Sequence, residues 1–173
     1  MQILTSNIII KLRLIGVLIT CIALTGCSSF FFQPHKQHYR DPAKIGLVFE
    51  DVYFPSTDGI TLHGWFLPAQ GEAKGTVLFL HGNAENISTH IGSVHWLPAR
   101  GFNVFLPDYR GYGKSQGTPS LDGSIADIDS ALAYVLQNKS VDANRVVVFA
   151  QSLGGSLATY AVAQSPQQKN IRA

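Results

Sequence analysis

Charged residues and cysteines are both scarce in this chain of 173 residues. Charged side chains make up 14% of the sequence, against roughly 25% in an average soluble domain, so part of the chain is not ordinary soluble surface. The net charge of +2 comes without a dense basic run, and composition therefore argues against a nucleic-acid partner. Because only Cys21 and Cys27 are available, a framework of several disulfides is excluded.

An apolar segment near the N-terminus accounts for part of the missing charge. Lys11 and Arg13 precede the apolar run 14–24, and small residues then lead to Cys27. This order is typical of a secretory signal peptide, and the run is shorter than the about 20 apolar residues that cross a bilayer. The stretch Leu24-Thr25-Gly26-Cys27 resembles the bacterial lipobox, in which the cysteine is lipidated and becomes the new N-terminus.

We therefore predict a signal peptide over residues 1–27 and a lipoprotein of the cell envelope, anchored in the membrane through Cys27. Several acyl chains on one cysteine make a firm anchor, since each buried methylene contributes about 0.8 kcal/mol. Ser28 favours transport to an outer membrane. The alternative is an uncleaved inner-membrane signal anchor, in which Lys11 and Arg13 extend toward the interface.

A polar segment follows the predicted signal peptide. Residues 28–45 contain Pro34 and Pro42 among polar residues, which predicts a tether between the membrane and a domain over residues 46–173. His35 and His38 fall in this tether, and we expect them to be solvated rather than bound to a metal.

The domain opens with two candidate strands, at 47–54 and 60–67. Asp58-Gly59 between them is a tight-turn pair that tolerates positive φ, so the two strands are predicted to form an antiparallel hairpin. His63 alternates with apolar neighbours in the second strand. We expect it on the polar face of that strand.

Three strand and helix units come next. The apolar runs that predict strands are 76–80, 102–107 and 145–150. Helices are predicted from about 87 to 99, after the loop 108–118 and from 153 to about 164, the middle one with an apolar face made by Ile125, Ile128, Leu132, Val135 and Leu136. This alternation predicts an α/β fold with a parallel sheet and right-handed crossovers.

Ser152 is the first of three candidate site motifs. The strand that ends at Ala150 runs into a small-x-Ser-x-Gly turn closed by Gly154, and a helix begins at once. This layout is typical of a nucleophile elbow, in which a strained turn exposes a serine hydroxyl. Ligands of parallel sheets bind beyond the carboxyl ends of the strands, so Ser152 is a candidate nucleophile. Ala150 stands where the pattern prefers glycine.

The second motif is His81-Gly82-Asn83, directly after another strand. Gly82 lets the backbone turn sharply and expose the amides that follow it. The Asn83 amide, together with that of Leu153, can then hold the oxyanion of a tetrahedral intermediate. We expect His81 to hold the loops in shape rather than to act as a base, because a base must reach the serine hydroxyl.

The third motif runs from Asp108 to Ser115 after the next strand. Asp108 and Arg110 either bind a charged substrate or form an ion pair that fastens the loop, and the ion pair is favoured. Gly111 and Gly113 are expected at turn positions.

Together, the three motifs make residues 54–163 similar to the N-terminal half of an α/β-hydrolase, of the group with a His-Gly-Asn oxyanion turn and an Asp-Tyr-Arg-Gly-Tyr-Gly-x-Ser loop. The resemblance implies an antiparallel hairpin followed by three parallel strands. It implies hydrolysis of a small ester, thioester or amide through an acyl-enzyme, with no metal or organic cofactor. The implied site consists of the nucleophile Ser152, the oxyanion-hole amides of Asn83 and Leu153, and supporting loop residues His81, Gly82, Asp108, Arg110 and Gly154.

The chain also departs from that family. Its members carry an acid and then a histidine after the nucleophile, whereas no aspartate, glutamate or histidine follows Ser152 here. The later strands are also missing, so the strand at 145–150 is expected to form an exposed apolar edge. We therefore predict a truncated hydrolase of doubtful activity. The alternative is a non-catalytic membrane-anchored lipoprotein that uses the half-fold for binding or structure.

Overall fold

In the computed structural model, residues 31–171 are described. The predicted signal peptide, with Cys27 and the basic residues Lys11 and Arg13, lies outside them. Among the described residues, no helix is long and apolar enough to cross a membrane.

A five-stranded sheet forms the centre of the fold. The strands of the described residues are β1 Gln33–Pro34, β2 Glu50–Pro55, β3 Thr61–Leu67, β4 Gly75–Leu80, β5 Ala84–Glu85, β6 Phe102–Asp108 and β7 Val146–Ala150. The large sheet has the order β2-β3-β6-β4-β7, and β1 pairs with β5 in a separate parallel pair. The predicted hairpin is confirmed, because β2 and β3 are antiparallel and Gly59 turns between them with φ +85°.

Parallel pairing unites the strands that end at the three motifs. β4 pairs in parallel with both β6 and β7, so the carboxyl ends of these three strands meet at one edge of the sheet. The predicted α/β class is confirmed. β7 lies at the edge of the sheet among the described residues, and Phe149 on it is 45% exposed.

Three α-helices cover the sheet in the described region: α1 Ile87–His90, α2 Leu121–Gln137 and α3 Leu153–Gln164. The Ser120 side chain caps α2 by accepting a hydrogen bond from the Gly123 amide. The bounds predicted for α3 are confirmed. The predicted helix over 87–99 is wrong beyond His90, where the chain continues in short 3-10 turns. Gly92 weakens a helix there, and Pro98 lacks the amide that a continuing helix needs.

The core has one apolar layer on each face of the sheet. One layer joins α2 and α3 to residues such as Leu78 and Phe105. The other packs the segment from Ile87 to Leu97 against residues such as Phe79. Because successive side chains point to opposite faces of a strand, β4 and β6 supply both layers and are buried throughout most of their length.

The polar tether predicted over residues 28–45 is wrong for residues 31–45, which pack on the domain. Phe32 is 4% exposed and belongs to the core. The Tyr39 amide donates to Ser88 Oγ at 2.9 Å, and Lys36 Nζ donates to the Ser115 carbonyl at 2.6 Å. Burial of the Phe32 ring and these hydrogen bonds fix residues 31–45 to the surface of the domain.

Candidate active site

Ser152 lies in the turn between β7 and α3 with φ +52° and ψ −117°. It is one of two non-glycine residues with positive φ among residues 31–171, the other being Glu85. A serine in this region of backbone space is strained, and such strain is retained where the surrounding structure enforces it. The structure therefore places Ser152 in a strained strand-to-helix turn with its side chain exposed.

Gly154 explains how the turn packs so closely on the sheet. A Cβ atom at this position would overlap the Leu80 carbonyl oxygen and would lie 2.6 Å from the His81 carbonyl oxygen. Glycine therefore lets the first turn of α3 rest directly on the end of β4. At Gly155, by contrast, an added Cβ would meet nothing within 4 Å.

The oxyanion-hole residues predicted from the sequence lie beside the serine. Ser152, Leu153 and Asn83 line one cavity of about 780 Å³. A Cβ built at Gly82 would lie 3.7 Å from the Ser152 Cβ, which shows how near the Gly82 turn comes. The Leu153 amide begins α3, and the first amides of a helix lack partners within the helix.

The Asn83 side chain is used to hold the N-terminal segment. Its Nδ2 donates to the Phe31 carbonyl at 2.7 Å. Its Oδ1 accepts from the Gln33 amide at 3.1 Å and from the Tyr112 hydroxyl at 2.8 Å. These bonds orient the peptide that carries the Asn83 amide.

His81 is buried behind the turn and holds its backbone. Its Nδ1 donates to the Gly82 carbonyl at 2.7 Å, and the Tyr109 hydroxyl donates to the His81 carbonyl at 3.0 Å. Burial lowers the pKa of His81 to about 4, so the ring is neutral at pH 7. A neutral, buried ring that donates to its own loop acts as a support.

His90 is a neighbour of the elbow that no sequence motif indicated. Its Nε2 donates to the Ala84 carbonyl at 3.0 Å, and its Nδ1 lies 3.2 Å from Gln151 Oε1. Both ring nitrogens therefore face polar groups of neighbouring parts of the chain. Within residues 31–171, no side chain forms a hydrogen bond with Ser152 Oγ.

The predicted pairing of Asp108 with Arg110 is wrong. Arg110 Nη2 instead contacts Asp127 Oδ1 at 2.8 Å, and Nη1 contacts Asp58 Oδ2 at 2.7 Å. These contacts raise the pKa of Arg110 above its usual value. Gly123 makes the pairing possible, because a Cβ there would lie 2.5 Å from Arg110 Nε. The ion pair does fasten the loop, but to α2.

Asp108 instead faces three histidines. His38, His63 and His81 all approach its carboxylate within 3.8 Å. The Ile87 amide donates to Asp108 Oδ1 at 2.9 Å. The expectation that His63 lies on a polar strand face is wrong, because its side chain is fully buried between Asp51 and Asp108.

Comparison with known families agrees with this geometry. The model of the Hydrolase_4 family (serine aminopeptidase, S33) matches residues 71–172. The chain is 37% identical over 175 residues to the YfhR protein of Salmonella typhi, covering 97% of the chain and 59% of that protein. It is 38% identical over 135 residues to the α/β hydrolase domain-containing protein WAV2 of Arabidopsis thaliana, covering 77% of the chain and 44% of that protein. The chain thus spans about half the length of these relatives.

Solved structures show the same fold. The esterase Pf2001 of Pyrococcus furiosus superposes with a TM-score of 0.69 at 23% identity, covering 79% of this chain and 52% of that one. Acetyl xylan esterase 1 from Thermoanaerobacterium sp. superposes with a TM-score of 0.56 at 24% identity, covering 69% and 45%. With the elbow at Ser152 and the match over residues 71–172, this chain belongs to the Hydrolase_4 family of α/β-hydrolases.

Proposed function

We propose that this chain is the nucleophile-bearing part of a serine hydrolase of the cell envelope, acting on esters, thioesters or amides through an acyl-enzyme on Ser152. The observation that carries the proposal is the positive φ of Ser152 at the junction of β7 and α3. That geometry supports a serine whose Oγ is presented to a substrate carbonyl.

In the proposed reaction, Ser152 Oγ forms a bond to the substrate carbonyl carbon while a base takes the Oγ proton. The amides of Asn83 and Leu153 bind the resulting oxyanion, a contribution of about 3–4 kcal/mol per donor in a serine protease. The bond to the alcohol, thiol or amine then breaks as the base returns the proton to that group, and attack by water on the acyl-serine ester releases the carboxylic acid and restores the Ser152 hydroxyl. The cavity favours an apolar acyl group, since Phe31, Leu157 and Tyr160 line it.

Serine is a weak nucleophile without a base. Because no histidine or acid follows Ser152 in this sequence, we propose that full turnover requires a base and an acid in addition to the residues of this chain.

Added imidazole tests the role of Ser152 directly. Ser152 is exposed beside a cavity of about 780 Å³, so dissolved imidazole has access to Oγ and acts as the base. We expect labelling of Ser152 by a fluorophosphonate probe to rise with imidazole concentration and to be lost in Ser152→Ala. Ser156→Ala is the matched control, because Ser156 lines the same cavity, and it should keep the labelling. Labelling that is equal in Ser152→Ala and the unaltered chain would contradict the proposal and favour a non-catalytic lipoprotein.

The envelope location rests on the lipobox-like stretch that ends at Cys27. We expect radiolabelled palmitate to enter the protein in bacterial cells and to be lost in Cys27→Ser. Cys21→Ser is the matched control, since Cys21 is the other cysteine of the sequence, and it should keep the label. Incorporation that persists in Cys27→Ser would contradict lipidation at that residue.

A further inference from the structure

A buried cluster of His38, His63 and Asp108 lies between the N-terminal segment and the sheet. His38 Nε2 is 3.5 Å from Asp108 Oδ2, and His63 Nδ1 is 3.8 Å from the same oxygen. One ligand atom from each of the three residues lies within 4.8 Å of the other two. The side chains of His63 and Asp108 are fully buried, and that of His38 is 15% exposed.

The hydrogen bonds of the cluster define which ring nitrogens of His63 and His81 carry no hydrogen. His63 Nε2 is 2.5 Å from Asp51 Oδ1, and a carboxylate oxygen accepts, so Nε2 carries the hydrogen. In the neutral ring, His63 Nδ1 then presents a lone pair to Asp108. His81 follows the same logic, because its Nδ1 donates to a carbonyl and its bare Nε2 lies 3.5 Å from Asp108 Oδ1.

Unpaired polar atoms are concentrated at this one place. Among buried side-chain atoms in residues 31–171, five lack a hydrogen-bond partner: His38 Nε2, His63 Nδ1, His81 Nε2, Asp108 Oδ2 and Ser124 Oγ. One of the five is an oxygen of the Asp108 carboxylate, and the three histidine nitrogens lie within 3.8 Å of that carboxylate. A buried acceptor without a donor is destabilising, and acceptors that face one another are satisfied together when they share a cation.

We propose that His38 Nε2, His63 Nδ1 and Asp108 Oδ2 bind one divalent transition-metal ion of the zinc class. Ligand atoms about 2.0–2.2 Å from a tetrahedral zinc ion lie roughly 3.3–3.6 Å from one another. The two separations from Asp108 Oδ2, 3.5 and 3.8 Å, are close to that range, and the two histidine nitrogens, within 4.8 Å of each other, would draw together around the ion. Imidazole nitrogens and a carboxylate oxygen suit such ions better than magnesium or calcium. Asp51 orients His63 as an outer partner, an arrangement common at zinc sites.

Two further features fit an ion at this position. A Cβ at Gly113 would overlap Asp108 Oδ2 and lie 2.8 Å from His38 Nε2, so glycine keeps these ligand atoms accessible. A cleft of about 300 Å³ opens beside the cluster, lined in part by His38, Asp51 and Lys114. The cleft brings solvent to His38, the partly exposed ligand of the cluster.

The ligands come from three separate parts of the chain. His38 belongs to the segment before the sheet, His63 to β3, and Asp108 to the end of β6. An ion bound by all three would cross-link the N-terminal segment to two strands of the sheet. The site is distinct from the cavity at Ser152 and goes beyond the proposed hydrolase function, for which the family resemblance implies no metal.

Metal titration of the full chain, stripped with a chelator and kept in mild detergent, tests this proposal. Competition between the protein and a chromophoric chelator should show one zinc ion bound per chain, and zinc should raise the thermal midpoint. Cobalt in place of zinc should give the visible absorption of a four-coordinate site. Magnesium should leave both signals unchanged.

Variants separate this site from zinc bound at surface histidines. His38→Gln, at the partly exposed ligand, should lower zinc affinity at least about tenfold, and Asp51→Asn should lower it about 10–100-fold. His95→Gln removes an exposed histidine elsewhere and should bind as the unaltered chain does. No zinc bound by the unaltered chain, or affinity unchanged in His38→Gln, would overturn the proposal. The same holds if His35→Gln weakens binding while Asp108→Asn does not.

Discussion

Arg110 and Asp127 form a buried, two-pronged ion pair between the loop after β6 and helix α2. Arg110 Nε contacts Asp127 Oδ2 at 3.0 Å and Nη2 contacts Oδ1 at 2.8 Å, while the Arg110 amide also donates to Oδ2 at 2.8 Å. The pair therefore fixes the loop to a different element only two residues after Asp108. The loop is positioned by α2 as much as by the sheet.

Loss of the Asp127 charge is expected to destabilise the fold strongly. Asp127→Asn leaves the buried Arg110 guanidinium with Asp58 as its remaining charged partner, so the free energy of unfolding should fall by on the order of 3 kcal/mol. Urea denaturation measures this. Asp58→Asn is the control, because the Asp58 side chain is 47% exposed and an exposed pair contributes little. Equal losses for the two variants would contradict this interpretation.

Gly154→Ala is expected to destabilise the elbow, since its Cβ would press on the carbonyls of Leu80 and His81. Overpacking of this kind costs about 1–3 kcal/mol. Gly155→Ala is the matched control, because an added Cβ meets nothing within 4 Å there and alanine stabilises a helix by about 0.5–1 kcal/mol relative to glycine. The two adjacent substitutions should thus shift the urea midpoint in opposite directions.

Backbone strain at Ser152 can be measured with two substitutions. Ser152→Gly should be about 1 kcal/mol more stable than Ser152→Ala, because glycine adopts φ +52° without the strain of a Cβ. At Ser156, inside α3, the order should reverse, with alanine about 1 kcal/mol more stable than glycine. Thermal denaturation of all four variants gives the comparison. If alanine is more stable than glycine at both positions, the turn stores no strain.

Asn83→Ala should release the N-terminal segment near the site. The change removes the acceptor of the Gln33 amide and the donor to the Phe31 carbonyl, so unfolding free energy should fall by about 1–2 kcal/mol. Hydrogen exchange at the Gln33 amide should accelerate about fivefold or more. Tyr109→Phe is the control, because it removes a nearby buried hydroxyl that binds the His81 carbonyl and leaves the Asn83 and Gln33 contacts in place. Gln33 exchange that accelerates equally in Tyr109→Phe would contradict the assigned role.

Local sequence patterns were sufficient for the parts of the fold that depend on neighbouring residues. The strand and helix on either side of Ser152 follow from an apolar run, a turn with small residues and a helical pattern. The Asp58-Gly59 hairpin follows in the same way, because both signals span only a few residues. The predicted helix over 87–99 failed at Gly92 and Pro98, where local signals opposed the apolar period.

Contacts between residues far apart in the sequence could not be predicted from such patterns. Nothing near Arg110 in the sequence indicates Asp127 as its partner, because the pairing depends on where α2 crosses the sheet. The polar composition of 28–45 likewise concealed the packing of Phe32 in the core. His63 was misjudged because alternation along a strand identifies a face but does not reveal what later covers it.

Alternation of apolar and polar residues, with turn residues between, was enough to specify an α/β sheet, the order of its elements and a serine at a strand-to-helix turn. These features depend on backbone preferences and side-chain periodicity, which act over a few residues. Tertiary packing decided the strain at Ser152, the partners of Arg110 and the convergence of His38, His63 and Asp108. The three residues of this cluster span 70 positions of the chain, from His38 to Asp108, and only the completed sheet brings their side chains within contact distance.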